Sequence, residues 1–170
     1  MRELLRFRRI SGLLLLTGTL TVGYLLFRPV KPMAAGMAPD SWLGTTTGLQ
    51  TALTDYRGHP VLPNFFATWC TTCKEELLAI ARARQKHPDL VALLIDEHEP
   101  AAQVRAFLHG LNVSGPALLD VDGAVASRYS ISAQPVTVWI APSGQIPAVS
   151  RGPVDAWIID ARYSELISTT

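Results

Sequence analysis

The chain's two cysteines stand two residues apart in "NFFATWCTTCKEELL", Asn64 to Leu78, at the point where an apolar run gives way to a charged, helix-forming one. "VLPNFFA" (Val61 to Ala67) reads as a buried strand, although Pro63 has no N–H to give a ladder. From Cys70 to His87 the composition of Glu, Leu, Ala, Arg and Lys favours helix. Leu77, Ile80, Ala81 and Arg84 mark one side of it, and Pro88 stops it. Cys70 is therefore expected where a buried strand ends and a helix begins, with Cys73 about one turn further on.

The remaining sequence completes an α/β pattern. "LVALLI" (Leu90 to Ile95) is short and wholly apolar between two helical patterns, as a central parallel strand should be. A second helix is expected from Pro100, with Val104, Phe107, Leu108 and Leu111 at i, i+3, i+4 and i+7. "PALLD" (Pro116 to Asp120) reads as a strand and "VDGA" as a turn. "PVTVWIA" (Pro135 to Ala141) alternates like a strand, runs into the "PSGQ" turn and returns antiparallel through "IPAVS". "PVDAWIIDARYSELIST" closes the domain as a helix with Ala156, Ile159, Tyr163 and Leu166 on one face. "TTTGLQTALTDYRGHP" reads as a loop or irregular hairpin ahead of the first core strand. The order β-α-β-α-β-β-α describes a small three-layer sandwich around a central mixed sheet.

A thiol at a helix N-terminus faces unpaired N–H groups and the positive end of the helix dipole, both of which favour thiolate. In such pairs the leading cysteine attacks and the second, one turn away, resolves the mixed disulfide. Trp69 would add an apolar wall beside the pair. Lys74 adds positive potential that Glu75 and Glu76 oppose. Two plainer readings compete. A zinc half-site needs further ligands, and His59, His87, His98 and His109 are scattered. An inert staple closing so short a loop restrains little unfolded-chain entropy. Redox exchange is the reading the placement favours.

The N-terminus indicates where this exchange takes place. Arg2, Arg6, Arg8 and Arg9 precede a charge-free run from Ile10 to Phe27, and Arg28 and Lys31 follow it. At about 1.5 Å per residue that run reaches roughly 27 Å, close to the hydrocarbon core of a bilayer. The expected organisation is a cytoplasmic segment over 1–9, a transmembrane signal-anchor over 10–27, a tether over 28–37 and one domain over 38–170, outside the cytoplasm. A cleaved signal peptide is the competing reading, and it too delivers the domain to an oxidising compartment. With a formal charge of +1 the chain carries no electrostatic footprint for nucleic acid, and no cofactor is expected.

"NFFATWCTTCKEELLAI" resembles the active-site segment of thioredoxin-fold proteins of the TlpA/ResA type, with the pattern N-F-W-A-T-W-C-x-x-C followed by a charged residue and Glu. The resemblance extends through "APD" at the start of the domain, "YRGHPVL" before the first core strand and "AQPVTVWIAPSGQI" further on. It implies a thioredoxin-like fold and a membrane-anchored or periplasmic thiol-disulfide oxidoreductase. Many such proteins are reductants in cytochrome c maturation. It further implies protein thiol or disulfide substrates, a membrane thiol electron donor, the bacterial inner membrane as the site, and a monomer. By position Cys70 would be the nucleophile and Cys73 the resolving thiol. Pro135 would be a cis-proline facing them, with the Gln134 backbone free to pair with a substrate strand and Trp69 beside it. The family's active-site acid maps by segment to Glu99, with Asp96 and Glu97 as rivals. Such an acid would handle the proton that Cys73 must lose. Phe66 in place of Trp, Pro63 in the first strand and the Thr71-Thr72 pair depart from the pattern, and the last of these leaves the redox direction open. An oxidase or isomerase of the same fold, a thiol peroxidase and a copper-binding module remain as alternatives.

Overall fold

A computed structural model describes residues 36–115 and 117–168. The expected anchor at 10–27 and most of the tether lie outside these residues. Among the described residues no helix is long and apolar enough to cross a membrane.

Strands β1 (Trp42–Thr45) and β2 (Gln50–Ala52) form an N-terminal hairpin, followed by a 3-10 turn at Leu53–Tyr56. Then come β3 (Val61–Phe66), α1 (Thr71–Lys86), β4 (Val91–Glu97), α2 (Ala101–Gly110), β5 (Leu118–Asp120) and α3 (Ala124–Arg128). Strands β6 (Val136–Trp139) and β7 (Ala148–Arg151) and helix α4 (Ala156–Ser168) complete the domain. One sheet runs in the order β2-β1-β5-β4-β3-β6-β7, with β3, β4 and β5 parallel at its centre. The expected core order is present; of the two readings for the segment ahead of it the hairpin is the one found, and α3 is added.

Two apolar layers cover the faces of the sheet. Leu62 and Phe66 of β3 pack with Leu77 and Ile80 of α1, Val104 and Leu108 of α2, and Ile159 and Leu166 of α4. Val61 and Phe65 point the other way, joining Val125 and Tyr129 at α3 and Val136 and Val138 of β6. This split follows from the two-residue period of strand side chains. On α1 the buried residues are Cys73, Glu76, Leu77, Ala79, Ile80 and Ala83, with Ala81 packed partly buried against them and Arg84 only half-buried, so the inner face is broader than the expected stripe. On α4 Ile159 and Leu166 are buried, whereas Ala156 is exposed.

Pro63 does not interrupt β3. The strand stays paired to β4 through all six residues, with Pro63 opposite Leu93. On the other side Val61 exchanges both backbone hydrogen bonds with Ile140, at 2.9 Å each, and pairing with β6 resumes only at Asn64. The register runs on unbroken from Val61–Ile140 to Asn64–Thr137, so the missing N–H faces β6 and costs one bond of that ladder while the pairing to β4 is untouched. Strand β4 runs two residues further than its apolar stretch, so Asp96 and Glu97 lie inside the strand and are buried. Asp120 at the end of β5 accepts the backbone N–H of Val125 at 3.1 Å and of Ala126 at 2.7 Å, fixing the start of α3 where the sequence showed only a turn.

Candidate active site

The parallel strands β3 and β4 end side by side, with Phe66 in register with Asp96, and the loop leaving β3 carries the cysteines. Cys70 caps α1 with extended backbone, and its Sγ accepts the Cys73 N–H at 3.2 Å. One orphan amide of the helix start is thus satisfied by sulfur. Cys70 and Cys73 form a disulfide with Cα atoms 5.3 Å apart. Both are buried, Cys70 at the rim and Cys73 completely, while Trp69 beside them is 72% exposed.

Strand β6 brings Pro135 to the same place. Its pairing with β3 sets Phe65 opposite Val136, so one further step puts Pro135 opposite Phe66. The Gln134–Pro135 peptide bond is cis, as the resemblance implied. Pro135 is buried, whereas Gln134 is half-buried and its Nε2 donates to Glu97 Oε1 at 2.7 Å. Cys70, Cys73, Trp69, Gln134 and Pro135 therefore meet at one end of the sheet.

Four acids lie behind or beside the pair, and the structure separates them. Glu99 is half-buried, and its two oxygens accept the Thr68 backbone N–H and the Thr68 hydroxyl, each at 2.6 Å. Burial pulls its carboxyl upward, but the Thr68 hydroxyl and amide, with Asp96 and Gln103, outweigh that and hold it below the ordinary carboxylate range. A carboxyl so held is a poor place to lodge a proton. Glu97 is buried on the opposite face of β4, tied to Gln134, and burial pushes it up. Asp96 is buried, accepts the Glu99 N–H at 3.2 Å, and is pushed up to about 8 by burial and then by Glu99.

The fourth acid is Glu76, three residues after Cys73 on the inward stripe of α1 and 2% exposed. The Thr137 hydroxyl donates to its Oε1 at 2.7 Å, and Asn64 Nδ2 donates to the Thr137 hydroxyl at 3.0 Å. Burial raises the Glu76 carboxyl, opposed by the hydrogen bonds from Thr137 and Asn64. Glu76 Oε2 and Asn64 Oδ1 are buried without a partner. A buried carboxyl with one unpartnered oxygen binds a proton more tightly than an exposed one. Sequence reasoning treated Glu76 only as a negative charge opposing Lys74 near the helix start. The available signal was its spacing, since an acid at i+3 from Cys73 and next to Leu77 must face inward with them.

The sequence profile of the AhpC/TSA family matches residues 35–149. The chain belongs to the AhpC/TSA family. The match runs from ahead of the hairpin into β7, so this family member carries its cysteine pair, both strands of the site and the Glu76 cluster inside the matched region. The thioredoxin-like protein YneN of Bacillus subtilis is 30% identical over 152 residues, which is 84% of this chain and 89% of that protein. The thiol-disulfide oxidoreductase ResA of the same organism is 34% identical over 120 residues, 68% of this chain and 65% of that protein. A solved structure of a putative protein disulfide isomerase from Bacteroides thetaiotaomicron matches with a TM-score of 0.69 at 26% identity, covering 78% of this chain and 89% of that one. StoA from Bacillus subtilis matches with a TM-score of 0.63 at 20% identity, over 79% of this chain and 98% of that one. The fold is thus the thioredoxin-like α/β sandwich with a mixed central sheet.

Proposed function

We propose that this chain is a membrane-tethered protein-disulfide reductase acting outside the cytoplasm, through Cys70 and Cys73. The observation that carries this reading is the placement of the disulfide, with Cys70 at the rim, Cys73 beneath it and the buried Glu76 carboxyl behind. At the coarser level the chain is a thiol-disulfide oxidoreductase, in line with the relatives that bear that name.

The exchange runs in two steps from the reduced pair. Cys70 thiolate attacks one sulfur of a substrate disulfide, which forms a mixed disulfide and releases a substrate thiolate. Cys73 then gives up its proton and attacks Cys70 Sγ, expelling the second substrate thiolate. Two electrons pass to the substrate, and the Cys70–Cys73 bridge seen here is the oxidised product. Cys73 is wholly enclosed, so its proton needs an acceptor inside the protein. Glu76, one helical turn along, fills that role from its ionised form in place of Glu99, because burial raises its affinity for a proton whereas the donors around Glu99 lower that of Glu99. Trp69, Gln134 and Pro135 frame the exposed side of Cys70 and form the substrate-facing surface.

Ile10–Phe27 would anchor the domain in the bacterial inner membrane, with the tether holding it close to the outer side and a membrane dithiol supplying electrons. Apocytochrome c or copper-related proteins are the substrates that the family resemblance suggests. The test uses the full chain in membranes. It should resist carbonate extraction, expose its domain to external protease, and accelerate reduction of insulin disulfides by dithiothreitol. Insulin reduction no faster than with dithiothreitol alone would end the exchange reading. Release by carbonate would end the anchor.

A further inference from the structure

Thr68 sits in the turn that presents the leading cysteine, since the Cys70 N–H bonds the Ala67 carbonyl at 3.1 Å. Both Thr68 donors go to one carboxylate, Glu99, from the loop between β4 and α2. Gln103 of α2 closes the cluster, with Nε2 donating to the Thr68 hydroxyl at 2.8 Å and to Glu99 Oε1. This clamp ties residues thirty-one apart in sequence across the end of the sheet. Behind it lies Asp96, 1% exposed, with Oδ1 taking the Glu99 N–H and Oδ2 accepting from no donor. Two adjoining carboxyls, one of them buried with an orphan oxygen, cannot both carry charge cheaply. Glu99 holds the donors, so it keeps the charge. Asp96 keeps the proton and can give it to Glu99 as a hydrogen bond.

We propose that Asp96 and Glu99 form a proton-sharing carboxyl pair that fixes the Thr68–Cys70 loop, making both of them positioning residues for disulfide exchange and not proton carriers for Cys73. The proposal rests on the exchange reading above and deepens it. The opposed shifts of the two carboxyls agree with one proton held on Asp96 and one charge held on Glu99.

The groups around Asp96 add little that titrates. Across β3 it meets Phe66, across β5 Leu119, and the head of α2 contributes the neutral Gln103. The head of α1 contributes the cysteines, uncharged while bridged. Glu97, the next residue along, adds the remaining negative charge, and Asp120 of β5 acts on Glu97. A carboxyl whose folded-state value is raised contributes stability that is complete below its ordinary value and drains away as pH climbs to the raised one. For Asp96 that window runs from 3.8 to about 8. Above it the pair carries two charges and the grip on Thr68 loosens.

Asp96→Asn separates this role from a merely structural one, because an amide cannot ionise yet still donates an N–H to Glu99. In the full chain in detergent, the ratio of variant to wild-type insulin-reduction rates should rise at least about fivefold between pH 6 and pH 9. Its unfolding midpoint should match the wild-type value below about pH 3.8 and exceed it by a margin that grows from pH 5 to pH 9. Placed on a Glu99→Ala background, Asp96→Asn should no longer change the pH profile. A rate ratio flat across pH, or an Asp96→Asn effect on the rate profile that survives the loss of Glu99, would overturn the pairing. If the wild-type chain reduces no disulfide at any pH, the exchange reading fails by itself, and the carboxyl pair is still decided by whether the Asp96→Asn gain in unfolding midpoint at pH 9 shrinks on the Glu99→Ala background, an unchanged gain overturning the pair.

Discussion

Replacing Cys70 by serine should abolish disulfide exchange, a loss of at least about a thousandfold, while replacing Cys73 should trap the reaction half-way. The asymmetry follows from position. Cys70 caps α1 at the rim of the site, where its sulfur receives the Cys73 N–H and can be approached from outside. Cys73 lies beneath and has access to Cys70 alone. A hydroxyl at position 70 is too weakly acidic to attack a disulfide. A hydroxyl at position 73 leaves the first step intact and removes the second. Cys73→Ser should therefore accumulate covalent adducts with substrate proteins, visible on non-reducing gels and released by dithiothreitol. Insulin reduction undiminished in Cys70→Ser, or adducts formed by that variant and not by Cys73→Ser, would reverse the assignment.

Glu76→Gln should slow exchange near neutral pH by about a hundredfold and at the same time make the domain more stable there. The amide keeps an oxygen for the Thr137 hydroxyl and cannot take the Cys73 proton. The loss should therefore fall on resolution of the mixed disulfide, and adducts should persist longer than in the wild type. Stability moves the other way because burial raises the Glu76 carboxyl. Its contribution is complete below the ordinary value of 4.5 and is lost as pH rises through the raised one, so the native protein bears a cost at neutral pH that glutamine removes. Unfolding midpoints should coincide at low pH and diverge in favour of Glu76→Gln as pH rises. Equal resolution rates in the two proteins would return Glu76 to a packing role. The same measurements on Glu99→Gln separate the rival acids, since the clamp on Thr68 predicts a change in the presentation of Cys70 and not in the proton step.

The cysteine site was legible because its signals are local: an apolar strand, a two-residue gap and a helix-forming run stand next to one another in the chain. The long helices were legible through periodicity, as with Val104 and Leu108 on α2. The hairpin β1–β2 was legible only as a loop or irregular hairpin, and helix α3 only as a turn. Strands of three and four residues and a helix of five are too short to show a period. Pro63 looked disruptive because the sequence does not tell which neighbour its missing N–H faces, and the loss falls on the β6 side while β4 stays paired throughout. The acids failed for a related reason. Asp96 and Glu97 follow an apolar run and read as its end, yet the sheet continues through them. Glu76 could have been found from its spacing to Cys73. Its partners could not, because Asn64 and Thr137 lie 73 residues apart and meet only through the pairing of β3 with β6.

The most direct test of the central claim is the redox equilibrium of the Cys70–Cys73 bridge in the full chain, poised against dithiothreitol and glutathione buffers and read by thiol alkylation. A reversible two-electron transition at about −220 mV or lower is expected of a reductase working by exchange. A transition near about −120 mV would make the protein an oxidant. A bridge that stays closed in excess dithiothreitol would contradict the account altogether.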